Sequence, residues 1–326
     1  MQAYYIIQKG KIVKSTADKA VIHVFASPTE EEKQQIIQKL GVDSYDFDSA
    51  LDPYEISRVE FEPDHTAIIW KQPRTETFDT KTQFDVLPVG FFIHGDSLTL
   101  ILGEVEIPFE KKIFEGVNSI YDVILRYFFH TIRQYAMHLK TIKQAKLQLE
   151  GKLSKSMENK YFLQMFDISE SLVYYIDAIE ANGAVLSKLL ARTNRSKGER
   201  LDFTPQQVDY LEDTLQENSQ VARQAEIYST VLSGLMDARG NVINNNMNVL
   251  LKNLTLINVV FLPLNLIASM GGMSEFTVMI ERYGLSWQIA YLIFSAVLVI
   301  VGWLTWEGLQ RRIDRPTDEE DFKRTL

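Results

Sequence analysis

Residues 250–306 read LLKNLTLINVVFLPLNLIASMGGMSEFTVMIERYGLSWQIAYLIFSAVLVIVGWLTW. They contain two apolar segments, 250–270 and 285–306, joined by a short loop that covers residues 271–284. The hydrocarbon core of a bilayer is about 30 Å thick, and a helix needs roughly 20 mostly apolar residues to cross it. Each segment is about that long, so we predict a hairpin of two membrane-spanning helices. The second segment carries no charged residue and is suited to face lipid.

The first segment is more polar than the second, since it contains Lys252, Asn253, Asn258 and Asn265, and it also contains Pro263. Polar side chains are costly in hydrocarbon, so a helix that carries them must turn them away from lipid. Seven residues follow one another at alternating steps of three and four, which places them on one face of a helix. We call this stripe the polar seam, and its members are Asn248, Leu251, Thr255, Asn258, Leu262, Asn265 and Ser269.

The polar seam has two interpretations. All its members except Leu251 and Leu262 have uncharged side chains that contain oxygen. Arranged around an axis, copies of this stripe would form a cation pore with apolar constrictions at the leucines. Alternatively, the small polar residues hold neighbouring membrane helices together by hydrogen bonds. The spacing alone is compatible with both.

Composition narrows the function further. The chain has 326 residues, a net charge of −9 and no cysteine. The lack of cysteine excludes disulfides, thiolate metal sites and cysteine nucleophiles. A negative net charge argues against nucleic acid as a partner. It suits a protein that handles cations, although ordinary soluble proteins are also often acidic.

Charges near the two apolar segments predict their orientation. Three arginines follow the second segment at positions 311, 312 and 315, whereas the loop holds one arginine and two glutamates. The positive-inside rule then places the loop outside and both termini in the cytoplasm. The N-terminus has no basic region followed by a long apolar run, so no signal peptide is predicted. We therefore expect a multi-pass protein of the cell (inner) membrane.

The chain before the hairpin divides by its periodicity. Short β-rich runs alternate with helix starts in the first part, as in an α/β domain with a small mixed sheet. Long helical patterns follow, at about 118–150 and 154–192. Thr204 and Gln207 form a capping box with Pro205 at the first helical position, and this helix is predicted to continue into the first membrane segment. The predicted parts are an α/β domain (1–115), a helical hairpin (116–203), a stalk helix (204–248), the membrane hairpin (249–306) and a cytoplasmic tail (307–326).

Catalytic patterns are absent from the sequence. The five histidines are scattered, and none belongs to a His-Glu-x-x-His or Gly-x-Ser-x-Gly pattern. There is no phosphate-binding loop, so transport driven by ATP is not indicated. We expect neither an enzyme nor an organic cofactor.

Four further stretches of the sequence are distinctive. The N-terminal part contains the runs VIHVFASPTEEE and ALDPYEISRVEFEPDHTAIIW, and the C-terminal part contains SGLMD at 233–237 and NVLLKNLTLINVVFLPLNLIASMGGM at 248–273. Over almost the whole chain they resemble the CorA family of two-helix divalent-cation channels. The first two runs are similar to the opening α/β segment of that family, and the last two follow its stalk and pore helix without a gap. The family hallmark is a Gly-Met-Asn triplet that closes the first membrane helix, and Gly272 and Met273 match it.

This resemblance implies a funnel-shaped homopentamer with its α/β domains and long helices in the cytoplasm. It implies that the first membrane helix lines a central pore for Mg²⁺ or another divalent cation, which is both cargo and regulatory ligand. The pore-facing positions of the family fall on five members of the polar seam: Asn248, Leu251, Thr255, Leu262 and Asn265. The resemblance also assigns regulatory cation sites at subunit interfaces to Asp213 and Asp237, whose partner carboxylates the sequence does not identify.

Ser274 departs from the family triplet, because it stands where the asparagine belongs. A serine ring presents hydroxyls on a shorter side chain, so the filter would be wider. Three alternatives follow: a Mg²⁺ channel with a relaxed filter, a transporter of Zn²⁺, Co²⁺ or Ni²⁺ that could be coupled to protons, or a non-conducting, membrane-tethered cation sensor. Glu275 and Glu281 either attract cations to the mouth or only solvate the loop.

Overall fold

The computed structural model describes residues 1–78, 81–103, 108–153, 159–193, 203–284 and 286–313. It divides the chain into two compact units, Met1–Met236 and Asp237–Leu326. The predicted α/β domain and helical hairpin lie together in the first unit and share one core. Helix α5, Pro205–Gly271, begins in the first unit and ends in the second.

The first unit is built on a mixed sheet of seven strands in the order β2-β1-β3-β7-β6-β5-β4. Strands β3 and β7 pair in parallel, and the other neighbours are antiparallel. The predicted mixed sheet is therefore present. The strands are β1 Gln2–Gln8, β2 Lys11–Lys14, β3 Ile22–Ala26, β4 Arg58–Phe61, β5 Thr66–Phe78, β6 Lys81–His94 and β7 Ser97–Leu102.

Helices cover both faces of this sheet. Successive apolar residues of β5 point to opposite faces, so each face has an apolar surface to bury. Ile68 and Trp70 point into the larger core, and the Trp70 ring stacks on Phe128 at 4.0 Å between centroids. Ala67 and Ile69 point into a smaller core on the opposite face. The helices of the first face are α3 Ile120–Leu153 and α4 Asn159–Thr193, and those of the second are α1 Glu30–Leu40 and α2 Ser44–Ser49.

Two capping boxes begin helices, and the one at Thr204 lies where the sequence predicts it. Thr29 caps α1, with its side chain accepting from the Glu32 amide and the Glu32 side chain accepting from the Thr29 amide. Thr204 and Gln207 exchange the same pair of hydrogen bonds at the start of α5. Gly41 ends α1 in the left-handed conformation at φ 66°.

One local prediction is wrong. The loop expected at 271–284 contains a helix, α6 Ser274–Arg282. Its apolar residues recur at helical spacing, and Ile280 is buried.

Buried polar contacts fix α4 on the sheet. The Asn182 side chain donates to the Lys71 carbonyl at 2.7 Å, and its oxygen accepts from the Lys71 amide at 3.1 Å. The Ser57 hydroxyl donates to the same oxygen at 2.7 Å. Asn182 is fully buried, so this fully paired network specifies one register of α4 on β5.

The second unit contains the end of α5, the short helix α6, and α7 Trp287–Ile313. Two helices of the described chain, Pro205–Gly271 and Trp287–Leu309, are long and apolar enough to cross a membrane. In the most apolar stretch of the second of these helices, no residue is buried within the chain. These apolar surfaces need cover from outside the chain, as lipid or other protein chains would provide.

Candidate functional site: the polar face of helix α5

The polar seam lies entirely on α5, within the second unit. All seven of its residues are exposed in the single chain, including both leucines: Leu251 retains 53% of its exposure and Leu262 retains 70%. The Thr255 hydroxyl donates to the Leu251 carbonyl at 2.8 Å, a bond within the helix itself. The seam is therefore an open stripe of uncharged oxygen and nitrogen atoms interrupted by two apolar side chains.

Helix α7 covers the opposite face of α5. Four residues of α5 that are partly shielded recur at steps of three and four, like a second stripe: Leu256, Val260, Leu264 and Ile267. At about 100° per residue, this stripe is roughly 170° around the helix from the polar seam. The polar seam is thus not the surface that joins the two helices of the hairpin.

Two glycines bring α5 and α7 together. A Cβ added at Gly271 would lie 2.4 Å from the Phe294 ring, and one added at Gly302 would lie 3.3 Å from the Leu264 side chain. The Tyr291 hydroxyl donates to the Gly271 carbonyl at 3.3 Å. Small residues at such positions let membrane helices approach closely.

The Gly272-Met273-Ser274 triplet forms the connection between α5 and α6. The Gly272 amide donates to the Ala268 and Ser269 carbonyls at 3.1 and 3.3 Å, and the Met273 amide donates to the Met270 carbonyl at 3.3 Å. Ser274 is exposed and is the first residue of α6. Glu275 and Glu281 lie in α6, but their side chains are outside the described ones.

Gly272 differs from Gly271 in its surroundings. A Cβ at Gly272 would meet only backbone oxygens, at 3.6 and 3.7 Å, which is ordinary contact. Its φ is not in the left-handed region. Within the described residues, therefore, neither packing nor backbone conformation requires a glycine at this position.

The two predicted regulatory aspartates both lie on α5 and are exposed, Asp213 in the first unit and Asp237 in the second. In the described parts of the chain, no cluster of three metal-ligating side chains includes either of them. Asp213 contributes to the raised pKa of Tyr210, behind the larger effect of burial.

One cluster that sequence reasoning missed lies on the sheet. Asp64, His65 and His94 each bring a possible ligand atom within 4.8 Å of the others. His65 and His94 are 29 positions apart in the sequence, so no sequence motif connects them. The antiparallel register of β5 and β6 brings them together. A prediction of that register from the sequence would have identified the cluster.

Comparisons with known proteins agree with this architecture. The family model described as "CorA-like Mg2+ transporter protein" matches residues 18–307. A protein from Methanocaldococcus jannaschii named "Cobalt/magnesium transport protein CorA" is 27% identical over 245 residues, which cover 72% of this chain and 73% of that protein.

Solved structures show the same fold. The complete structure of the CorA magnesium transporter from Methanocaldococcus jannaschii has a TM-score of 0.73 at 20% identity, over 95% of this chain and 98% of that one. The full-length CmaX protein has a TM-score of 0.68 at 12% identity, over 95% and 97% of the two chains. The chain belongs to the family of CorA-like Mg²⁺ transporter proteins, and it is accordingly a membrane transporter of divalent cations and not an enzyme.

Proposed function

We propose that this chain assembles as a funnel-shaped homopentamer whose polar seams line a central pore, and that Mg²⁺ is the main ion conducted. The observation that carries the proposal is the position of the seam on the face of α5 opposite α7. Amides exposed to lipid are costly, so this face must meet water or other copies of the chain. A ring of copies around a water-filled axis meets that requirement.

The chemistry of the seam fits a hydrated cation. Mg²⁺ gives up its water reluctantly, so a pore for it should contact the hydration shell and should not strip the ion. Amide and hydroxyl oxygens of Asn258, Asn265 and Thr255 can accept hydrogen bonds from that shell. They carry no charge, so the ion is attracted but can leave again. Leu251 and Leu262 would form the apolar constrictions at which the pore closes by losing water.

The triplet at the end of α5 is proposed as the filter. Gly272 has no packing reason within the described chain to be glycine. Close approach to a neighbouring copy or to a hydrated ion accounts for it. Ser274 would present hydroxyls to the ion where the family has amides. Glu275 and Glu281 on α6 would raise the local cation concentration at the mouth.

Orientation and gating complete the proposal. By the positive-inside rule, the arginines at positions 311, 312 and 315 favour both termini on the cytoplasmic side of the cell (inner) membrane. Asp213 and Asp237 would then face cytoplasmic ions, and Mg²⁺ is commonly bound through one or two carboxylates with retained waters. If binding is tighter in the closed state, rising Mg²⁺ shifts the population toward closure.

A second candidate is transport of another divalent cation, and Ser274 is the observation that favours it. A shorter ring of hydroxyls selects less strongly for one hydration shell than a ring of amides. The relative from Methanocaldococcus jannaschii is named for cobalt as well as magnesium. Co²⁺, Ni²⁺ and Zn²⁺ are therefore the competing ions to be tested.

The test is ion flux into proteoliposomes that contain the purified full chain. Under an inside-negative potential we expect Mg²⁺ uptake that needs no pH gradient. Larger uptake of Co²⁺, Ni²⁺ or Zn²⁺ would support the second candidate, and uptake that follows an imposed pH gradient would indicate proton coupling. Absence of any divalent flux would contradict the pore and leave a tethered cation sensor.

A further inference from the structure

His65, just before β5, and His94, the last residue of β6, have their rings against each other at one end of the sheet. The last paired residues of the two strands are Thr66 and Ile93, so the two histidines are the next residues in the same register. The two imidazole rings are stacked, with centroids 5.0 Å apart and an angle of 10° between their planes. Side chains in such directly opposed positions interact closely.

Asp64 brings a carboxylate to the same place. Its Oδ1 lies 3.0 Å from His65 Nδ1, and one possible ligand atom from each of Asp64, His65 and His94 lies within 4.8 Å of the others. The Asp64 side chain is 78% exposed, whereas that of His65 is only 10% exposed. The cluster therefore has one side open to solvent and one side buried.

The buried side contains two nitrogens that need explaining. Nε2 of His65 and Nε2 of His94 are both shielded from solvent, and neither has a hydrogen-bond partner among the described residues. The end of α1 lies against the second ring, since a Cβ on Gly41 would be 3.2 Å from His94 Nε2. Buried polar atoms are normally paired, so two unpaired imidazole nitrogens within one cluster call for a ligand.

We propose that Asp64, His65 and His94 bind a transition-metal ion of the Zn²⁺, Co²⁺ or Ni²⁺ class. Two imidazoles and a carboxylate form a donor set that these ions favour, whereas Mg²⁺ prefers oxygen ligands alone. Water would complete the coordination on the open side. The site lies in the first unit and the polar seam in the second, so the two share no residue.

Binding requires a small rearrangement. A metal lies in the plane of each imidazole it binds, so two stacked rings cannot both bind until one turns about its Cβ–Cγ bond, a torsion that is soft in histidine. Tetrahedral ligands about 2.1 Å from Zn²⁺ are roughly 3.4 Å apart, so the ligand atoms must also draw together. The bound ion would then tie the β4–β5 turn to the end of β6.

The experiment measures Zn²⁺ binding to the full chain in detergent, purified without a polyhistidine tag and in excess Mg²⁺ to occupy oxygen-only sites. Wild type should bind about one Zn²⁺ per chain through this donor set. His65→Gln and His94→Gln should weaken binding by more than the roughly 10–100-fold expected from losing an outer-shell partner. His23→Gln is the matched control, since His23 lies outside the cluster and packs against Tyr4. Its Zn²⁺ affinity should equal that of wild type.

Unchanged Zn²⁺ affinity in both cluster variants would overturn the proposal, and so would wild type that binds no Zn²⁺. X-ray absorption at the zinc edge of the loaded wild type requires no substitution and guards against misfolded variants. It should show two imidazole ligands, and a spectrum without imidazole scattering would overturn the site. Mg²⁺ flux of the cluster variants, measured in parallel, should match wild type because the site shares no residue with the polar seam.

Discussion

Phe294 of α7 occupies the space in which a side chain at Gly271 would begin, since a Cβ there would lie 2.4 Å from its ring. This contact fixes which face of α5 is turned toward α7. The polar seam lies on the other face as a result, and the proposed pore depends on that arrangement. The contact is also the simplest part of the hairpin to test.

Gly271→Ala should destabilise the hairpin, because the new methyl group forces apart two helices that pack without space between them. Overpacking of this kind costs about 1–3 kcal/mol. Gly308→Ala, on α7, is the matched control, because nothing lies within 4 Å of a Cβ added at Gly308. Thermal unfolding in detergent should therefore show a lower midpoint for Gly271→Ala alone, and equal midpoints would contradict the packing.

Ser274→Asn tests the filter. If the serine relaxes selectivity, the asparagine should shift the ratio of Mg²⁺ to Co²⁺ uptake toward Mg²⁺, because amide carbonyls reach further toward the hydrated ion. Ser274→Ala is a useful companion, since it removes the hydroxyl without adding an amide. An ion profile that is the same in all three proteins would show that selectivity lies elsewhere in the chain.

Asp213→Ala combined with Asp237→Ala tests the proposed gating. Removing both carboxylates should leave uptake less inhibited by Mg²⁺ on the cytoplasmic side, since binding would no longer favour the closed state. Glu212→Ala, at an exposed neighbouring carboxylate on the same helix, is the control for lost charge. Inhibition curves that coincide for the double variant and wild type would argue against the regulatory role.

His130 predicts a pH dependence of stability. Burial, and next the charge of Lys111, lower the pKa of His130 from 6.5 to about 4. Lys111 Nζ lies 3.1 Å from His130 Nε2, as suits a neutral ring. Between pH 6.5 and 4 the unfolded chain therefore binds a proton that the folded chain does not, so stability falls as the pH drops through this range.

The check is thermal unfolding of wild type and His130→Gln at several pH values across that range. The variant cannot titrate at this position, so its free energy of unfolding should depend less steeply on pH. The difference in slope should correspond to at most about one bound proton. Parallel curves for the two proteins would show that His130 does not contribute.

Features that depend on local chemistry were predictable from the sequence. The capping box at Thr204 begins α5 because its hydrogen bonds join residues three positions apart. The two apolar segments are recognisable from length and composition. The continuous α5 follows from the lack of any proline between Pro205 and Pro263.

Features that depend on the pairing of β-strands were not predictable from the sequence. Strands β5 and β6 extend well beyond their apolar parts, where the sequence is polar and only the pairing with the neighbouring strand defines the strand. Strands β1 and β2 are joined by Lys9 and Gly10, both at positive φ, and lysine there is not a usual signal for such a turn. The Asp64, His65 and His94 cluster requires the register of two strands.

The site itself shows the same division. Spacing along one helix was enough to define the polar seam from Asn248 to Ser269. It could not tell whether α7 covers that stripe, because the answer depends on which face Gly271 turns toward Phe294. The carboxylate partners of Asp213 and Asp237 cannot be identified from one chain if they belong to another copy.

The most direct test of the pore uses the absence of cysteine from the chain. Single variants Asn258→Cys and Asn265→Cys would be treated with a cationic thiol reagent during Mg²⁺ uptake, beside Ile257→Cys, an exposed position about 130° around the helix from the seam. We predict that the reagent blocks uptake in the two seam variants and leaves the Ile257→Cys variant unaffected. Block of Ile257→Cys alone, or no block in any variant, would contradict the proposal that the polar seam lines the pore.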